Sequence, residues 1–324
     1  MNHTFPPQDV TFHLDTGSPR LVSVTEKETL IHRGESCGTL LVPEEAPVWG
    51  EHFDRTLQTF APRTAGLVAG VTRQIMEHHA APVLVSLARG GTPAVVLIRR
   101  EARRLGLDWP YHSVSIMRGE GLDVHAYREV LGAHPEREVV FVDGWTGQGS
   151  IQAALNASVS GVRLAVLSDP AGVSTYAGTY EDVLIPHALL NATVCGLLSR
   201  TFLQGRGRHA VILEKRLKEH DRTAAYLDAV SHATPVPQER GRRPGNPVAY
   251  TLAIAGMYGV TDSHRITPSV GEASRALLRR APCELLLRQW GHPDTQHLED
   301  VARRRGVAVY VHSDLPYQAC ILMQ

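Results

Sequence analysis

The 324-residue chain carries 33 basic residues (Lys and Arg) and 33 acidic residues, so its net charge favours neither nucleic acid, membrane nor an acidic substrate as partner. Its hydrophobic content of 43% is enough for a substantial core, and the length predicts about two domains. The amino terminus lacks a secretory signal and no stretch reaches the roughly 18 apolar residues of a membrane span, so we expect a cytosolic protein. The 4 cysteines lie far apart, which favours reduced thiols over a zinc site or a disulfide framework.

The first two thirds of the chain predict an α/β domain. Residues 1–50 are rich in Pro, Gly, Thr and Glu, which predicts an irregular arm or cap. From 52 to 79 apolar residues recur at helical spacing with an interruption near Pro62, so we expect one or two amphipathic helices. Apolar strands are then predicted in PVLVSLARGG, HSVSIM, EVVFVDG and RLAVLSDPAG. Strands that are apolar on both faces and alternate with helices indicate a parallel sheet with helices on both faces, over residues 51–231.

The last third predicts a linker and a second domain. Residues 232–248 hold four prolines and two glycines with little that could pack, which places the linker there. In residues 249–324 the segments SVGEASRALLRRAP and PDTQHLEDVARRRG have helical character, whereas CELLLRQ and VAVYVH are strand-like. This alternation predicts a small, compact α/β domain.

The strongest motif is VVFVDGWTGQGS, in which a buried strand delivers Asp143 to a glycine-rich loop that runs to Ser150 before a helix. Glycines let backbone amides converge on an anion, and the helix amino terminus adds favourable partial charge. The hydroxyls of Thr146 and Ser150 can donate further hydrogen bonds, and an acidic residue at the strand end can accept from ribose hydroxyls. The pattern predicts a phosphate-binding loop; the alternative is an ordinary strand-to-helix turn in which the aspartate acts as a cap.

Two loops of this sequence resemble those of the type I phosphoribosyltransferases. Asp143 followed by the Thr-Gly-x-x-Ser segment resembles their phosphate loop, and SLARGGTP resembles their pyrophosphate loop. The resemblance implies binding of phosphoribosyl pyrophosphate (PRPP) with Mg²⁺, which Asp143 would meet indirectly through the ligand. The ligand contacts it implies are Arg89, Gly90, Gly91 and Thr92 in the first loop, and Asp143, Gly144, Trp145, Thr146, Gly147, Gln148, Gly149 and Ser150 in the second. Without the second motif, Arg89 would equally suit a surface salt bridge at a turn.

The match departs from that family at Gly144, where the family has a second acidic residue. Such carboxylates hold the ribose and support positive charge on its anomeric carbon, so we expect ligand binding to survive more readily than turnover. Trp145 could stack on a base or fill the edge of a core. Arg118 to Gly121 take the place of the family's mobile loop, with Arg118 as its cation, although a polar hairpin turn fits equally well. Asp169 resembles the base-contacting position, or else a turn-forming Asp-Pro.

A closer resemblance spans roughly residues 80–205 and includes HSVSIMRGEGLD, FVDGWTGQGS, SDPAGV and IPHALLNATVCGLLSRT. These segments resemble the phosphoribosyltransferase-like proteins of tellurium-resistance and stress gene clusters, which are also labelled StiP-type cysteine proteases. The protease label suggests Cys195 as a nucleophile, with His187 as the nearest imidazole in sequence. The alternative is a buried, inert thiol, because Cys195 lies in an apolar stretch.

Residues 265–324 resemble the Pelota-type, kink-turn-binding RNA module. Gly271 and Glu272 take the place of that module's Asn-Glu pair, and Arg275 and Arg279 follow on one face of the helix. The resemblance implies that these four residues bind RNA. From Gly241 onward ten arginines face seven acidic residues, an excess that suits a small RNA footprint or an ordinary solvated surface.

These patterns and resemblances support three alternative hypotheses of function. In the first, the protein binds PRPP or a related ribose phosphate and transfers the phosphoribosyl group to or from a base-like acceptor in a stress or tellurium-resistance setting, with Asp143 and Arg118 as catalytic residues. In the second, it is a thiol hydrolase or peptidase that uses Cys195. In the third, it is a non-catalytic ligand sensor that recognises RNA. Related phosphoribosyltransferases commonly form dimers, so the resemblance implies a homodimer.

Overall fold

The computed structural model describes residues 2–35, 37–46, 50–117, 120–204, 208–279 and 282–323. The helices span α1 Val24–His32, α2 Gly50–His78, α3 Thr92–Arg104, α4 Val124–Ala133, α5 Ser150–Ser158, α6 Thr223–His232, α7 Pro247–Gly256, α8 Val270–Arg279 and α9 Gln296–Arg305. The strands span β1 Thr11–Phe12, β2 Asp15–Thr16, β3 Arg20–Leu21, β4 Leu40–Leu41, β5 Val83–Ala88, β6 Tyr111–Met117, β7 Gly121–Leu122, β8 Val139–Trp145, β9 Leu164–Ser168, β10 Tyr176–Thr179, β11 Phe202–Gln204, β12 Arg208–Val211, β13 Ile266–Pro268, β14 Pro282–Leu287, β15 Ala308–Val311 and β16 Ala319–Met323.

A seven-stranded sheet forms the centre of the first domain, in the order β1-β6-β5-β8-β9-β10, with β7 paired to β6. Every pair along that path is parallel, and only β7 is antiparallel to its neighbour. Alternate residues of β5, β8 and β9 pack against α2, α3 and α6 on one face and against α4 and α5 on the other. Both faces are therefore covered, which confirms the predicted α/β class with a parallel sheet between helices.

The order of the strands reverses between β5 and β8. Strand β5 leads into α3 on one face of the sheet, whereas β8 leads into α5 on the opposite face. The chain segments that leave the two strands therefore diverge, and a crevice forms at the carboxyl edge of the sheet, which is where open α/β sheets bind their ligands. The two glycine-rich loops of the sequence border this crevice.

Helix α2 is a single helix, although the interruption at Pro62 had allowed two. A proline inside a helix lacks an amide donor and crowds the preceding turn. Here the residues on both sides of it, including Phe53, Leu57, Val71 and Ile75, are buried in the same core. This packing offsets the lost helical hydrogen bond and keeps the two halves in one helix.

The described residues among the first 50 pack as part of the first domain. Strand β1 forms an edge of the central sheet, and β2 pairs with β12 in a small sheet of three strands. Phe5 and Val10 are buried in the main core.

The segment between the domains also packs against the first domain, which differs from our expectation. The Tyr180 amide donates to the Arg240 carbonyl at 2.8 Å, and the Thr179 hydroxyl donates to the Glu239 carbonyl at 3.1 Å. Two carbonyls of this segment thus accept hydrogen bonds from residues at and just beyond the end of β10.

The second domain has a four-stranded sheet in the order β13-β16-β14-β15. Side chains of α8 and α9 and one face of this sheet join the main core of the first domain, whereas α7 covers the opposite face. The predicted small α/β domain is confirmed, and its core is continuous with that of the first domain. No helix among the described residues is long and apolar enough to cross a membrane.

Candidate functional site

The loop between β8 and α5 is held in shape by its own side chains. Gly149 has a φ of 81° and precedes Ser150, the first residue of α5, so the turn requires the left-handed conformation that glycine adopts without strain. The Thr146 hydroxyl donates to Asp169 Oδ1 at 2.6 Å and accepts from the Ala171 amide at 3.2 Å. The exposed Ser150 and the first amides of α5 remain the groups of this loop best placed to meet an anion.

Asp169 connects this loop to the turn that follows β9. It is fully buried, and besides Thr146 it accepts from the Val173 amide at 3.2 Å, the Ser174 amide at 2.8 Å and the Ser174 hydroxyl at 2.7 Å. Both carboxylate oxygens are thus engaged within the protein. A contact of Asp169 with a base stays a prediction; in the structure its hydrogen bonds hold Thr146 of the β8–α5 loop to the turn after β9.

The loop after β5 approaches β8 closely. A Cβ at Gly91 would lie 2.4 Å from the Val142 carbonyl oxygen, so this position requires glycine. Thr92 is buried at the start of α3, with its hydroxyl 3.4 Å from Ser86 Oγ. The loop after β5 therefore lies directly against the end of β8.

Arg89, the cation of this loop, is engaged by the protein itself. One guanidinium nitrogen donates to the Leu198 carbonyl at 2.7 Å, and another pairs with Glu44 at 2.5 Å. Both members of this ion pair are buried to about nine tenths, with side-chain exposures of 7% and 10%. A contact of Arg89 with pyrophosphate stays a prediction that would require this pair to rearrange.

Asp143 lies at the end of β8 inside the crevice, partly buried. Its Oδ1 accepts from the amide of the adjacent Gly144 at 2.8 Å, and no other hydrogen bond to it occurs among the described residues. Burial raises the pKa of Asp143 to about 7; the hydrogen bond from Gly144 and the positive charge of Arg275 oppose the rise, while the negative charge of Glu272 adds to it. A carboxyl that titrates near neutral pH in a crevice can accept from a ligand hydroxyl or exchange a proton.

Trp145 contacts the second domain. The Trp145 side chain is buried at the edge of the core. Its Nε1 donates to Glu272 Oε1 at 3.0 Å, and the Arg275 guanidinium carbon lies 4.4 Å from the centroid of its ring. A Cβ at Gly271 would lie 2.4 Å from Trp145 Cε2, so only glycine allows this approach. Three of the residues predicted to bind RNA therefore face the first domain; the side chain of the fourth, Arg279, lies outside the described residues.

Further hydrogen bonds join the second domain to the loop between β8 and α5. The Tyr317 hydroxyl donates to the Gly147 carbonyl at 2.8 Å. Gln148 Nε2 donates to the carbonyls of Ser263 at 2.6 Å and Ile266 at 2.7 Å. The amide of Gln148 and the backbone of Gly147, both predicted to meet a ligand, are thus used in domain docking.

Two buried acidic residues that the sequence did not single out also join the domains. Asp182 of the first domain accepts from the Val270 amide at 3.0 Å and so caps α8. Burial raises the pKa of Asp182 to about 7. Asp294 of the second domain forms an ion pair with Arg63 of α2. No motif surrounds either acid, and only the tertiary structure identifies them.

His187 and Cys195 are both fully buried. His187 Nε2 lies 3.1 Å from the Gly90 carbonyl and Nδ1 lies 2.9 Å from the Tyr226 hydroxyl. Burial lowers the pKa of His187 to about 3, so the ring is neutral. Because a carbonyl only accepts, we assign the ring proton to Nε2, and Nδ1 then accepts from Tyr226. Both nitrogens are engaged, which leaves the ring no lone pair with which to activate the thiol.

Arg118 lies outside the described residues, and the residues around it, Met117 and Gly121, pair antiparallel as in a hairpin. Burial raises the pKa of the Cys320 thiol to about 12, so it is protonated at neutral pH. The described residues contain no group of three or more His, Cys, Asp or Glu arranged to hold a metal ion.

Several solved structures are similar to part of this chain at low identity. The hypoxanthine phosphoribosyltransferase of Trypanosoma cruzi is 11% identical, covering 52% of this chain and 97% of its own, with a TM-score of 0.32. A hypothetical protein from Neisseria gonorrhoeae with bound ppGpp is 14% identical, covering 36% of this chain and 77% of its own, with a TM-score of 0.25. At such scores these likenesses carry no argument about this chain.

Family matches are more informative. The PELOTA RNA binding domain matches residues 246–324. The "Cysteine protease StiP" of Acinetobacter baylyi is 29% identical over 358 residues, covering 99% of this chain and 94% of that protein. The family described as tellurite-like stress resistance cysteine protease StiP matches residues 3–231. Because that match spans most of the chain, this protein belongs to the StiP family.

Proposed function

We propose that the first domain binds a ribose phosphate such as PRPP in the crevice between the β5 and β8 loops and transfers the phosphoribosyl group to a base-like acceptor. The observation that carries the proposal is Asp143, a partly buried carboxyl whose pKa is raised to about 7 at the point where the strand order reverses. A neutral or hydrogen-bonding carboxyl at this place suits the hydroxyls of a ribose. We propose that the protein acts in stress resistance, as the description of its family states.

The residues around Asp143 suit the parts of such a ligand. The amides at the start of α5 would bind the 5′-phosphate, and the amides of Gly90 and Gly91 would bind pyrophosphate oxygens. In the transfer, the bond from the anomeric carbon to pyrophosphate breaks and a bond from that carbon to a nitrogen of the base forms, with the nitrogen's proton leaving to a nearby base. The polar crevice would stabilise the positive charge on the ribose.

Mg²⁺ would accompany the ligand. This ion is held in proteins by one or two carboxylates together with the substrate's phosphates. Asp143 would meet the ion indirectly, through the ribose hydroxyls and the pyrophosphate of the ligand. Bound Mg²⁺ would neutralise the charge of the pyrophosphate leaving group.

RNA is a proposed partner of the second domain, and the Pelota match supports it. The surface that carries Gly271, Glu272 and Arg275 packs against Trp145 in the docked arrangement. RNA contact through that surface would therefore require the two domains to separate.

A thermal-shift measurement tests ribose-phosphate binding. Ligand at about 100 times its Kd adds about 2.7 kcal/mol to the free energy of unfolding, so PRPP with Mg²⁺ should raise the Tm by several degrees. Asp143→Asn should abolish the shift, and Asp108→Asn, whose side chain is 85% exposed, should keep it. Absence of any shift for the wild type at millimolar PRPP would refute the proposal.

A second candidate function is thiol hydrolysis at Cys195, which the name of the relative and of the family supports. Cys195 is fully buried, so a nucleophilic role requires the site to open. An electrophilic probe at neutral pH should then modify Cys195 faster than the equally buried Cys320, and Cys195→Ser should remove that fast phase. Equal, slow modification of the two thiols would exclude this function.

A further inference from the structure

Arg275 reaches from α8 of the second domain into the crevice of the first. Its guanidinium lies over the ring of Trp145, and a Cβ at Gly90 would come within 2.8 Å of its Nη1. The side chain thus lies against the very loop whose amides are proposed to meet pyrophosphate. Any residue larger than glycine at position 90 would meet the guanidinium.

The Arg275 guanidinium has no acceptor among the residues that the structure describes. Its Nε is buried without a partner, and no hydrogen bond or ion pair joins Arg275 to another described residue. A guanidinium offers five N–H donors, and a buried donor that lacks an acceptor is unfavourable. Asp143 is near enough for its pKa to respond to the charge of Arg275, yet the two form no ion pair. Such a cation is suited to an anion that arrives with a ligand.

Glu272 accompanies Arg275, one turn earlier on the same helix. One of its oxygens accepts from Trp145 Nε1, and a Cβ at Gly147 would lie 2.8 Å from its Cγ. Its carboxylate therefore lies beside the phosphate loop of the first domain. Gly144, at the end of β8, leaves Asp143 as the single acidic residue of that strand end, and Glu272 brings a second carboxylate to it from another domain.

We propose that α8 of the second domain completes the ribose-phosphate site, with Arg275 binding the pyrophosphate group and Glu272 supplying the second carboxylate beside Asp143. This inference rests on the proposed function. In this arrangement ligand binding and domain docking favour each other, because the ligand contacts both domains and stabilises the state in which they are joined. Arg275 and Glu272 then serve the small ligand, and the docked domain does not present them to RNA.

Isothermal titration with PRPP, inorganic pyrophosphate and ribose 5-phosphate tests this proposal on the full chain. Arg275→Ala should weaken pyrophosphate and PRPP at least tenfold and ribose 5-phosphate much less. Arg275→Lys, which keeps the charge without the planar fork, should recover part of the loss. Arg303→Ala is the matched control, since Arg303 lies in the same domain with a side chain 68% exposed, and it should bind all three ligands as the wild type does. Glu272→Gln should weaken PRPP in the presence of Mg²⁺.

The outcomes separate the two proposals. If Asp143→Asn abolishes PRPP binding while Arg275→Ala and Glu272→Gln bind as the wild type does, the composite site is refuted and the proposed function stands. If the wild type binds none of the three ligands, the proposed function itself fails. Hydrogen exchange at the Val270 amide, which donates to Asp182 of the first domain, reports whether Arg275→Ala leaves the domains docked; a loss of binding together with unchanged exchange supports the proposal. Weaker binding of a kink-turn RNA by Arg275→Ala, with unchanged PRPP affinity, would overturn it.

Discussion

Replacing Asp143 by asparagine tests whether the crevice holds a carboxyl that titrates near neutral pH. Burial raises its pKa from 3.8 to about 7, so the folded protein retains a proton that the unfolded chain has released. The free energy of unfolding therefore falls as pH rises from about 4 to about 7, by up to ~1.4 kcal/mol per pH unit. The full shift corresponds to about 4 kcal/mol, and the partial solvent contact of the side chain reduces the expected effect to about 2 kcal/mol.

Urea unfolding at several pH values measures how the free energy of unfolding depends on pH in the wild type and in Asp143→Asn. Asparagine keeps the oxygen that accepts from Gly144 and cannot ionise, so Asp143→Asn should match the wild type near about pH 4 and exceed its free energy of unfolding by about 2 kcal/mol at about pH 8. Asp182, whose pKa is also raised to about 7, is present in both proteins, and its contribution cancels in the difference. Asp108→Asn, at an exposed position, should show no such pH dependence. A stability difference that stays constant over this range would refute the assignment.

Two further substitutions test the docking of the domains. Gly271→Ala places a methyl group 2.4 Å from Trp145 Cε2 and should lower the free energy of unfolding by about 1–3 kcal/mol, whereas Gly245→Ala, with nothing within 4 Å, should leave it nearly unchanged. Equal effects in chemical denaturation would contradict the contact. Tyr317→Phe removes the donor to the Gly147 carbonyl and should lower the free energy of unfolding by about 1–3 kcal/mol, because it leaves a buried carbonyl unsatisfied. A neutral result, or unaltered hydrogen exchange in the phosphate loop, would show that this hydrogen bond contributes nothing.

The central sheet could be predicted from the sequence because its strands are apolar on both faces. Residues 83–88 are buried without exception, as a strand between two helical layers must be. The glycine-rich loops follow directly from these strands, and parallel strands bring their carboxyl ends to one edge. The meeting of Gly91 with the Val142 carbonyl is thus implied by strand order and local sequence together.

The docking of the second domain could not be predicted in the same way. Trp145 and Arg275 are far apart in the chain, and nothing in the local sequence of either indicates that they stack. The helical spacing of α8 predicts which of its residues share a face, but the identity of what covers that face depends on contacts across the whole fold. Asp182 shows the same limit, since an acidic residue in a loop carries no signal that it caps a helix of another domain.

The most direct test of the central claim is a crystal structure of the protein grown with PRPP and Mg²⁺. We predict density for the 5′-phosphate at the amino terminus of α5, for ribose hydroxyls at Asp143, and for pyrophosphate between Gly90 and Arg275. Density for the ligand at any other place, or a crevice without ligand density at millimolar PRPP, would contradict the account.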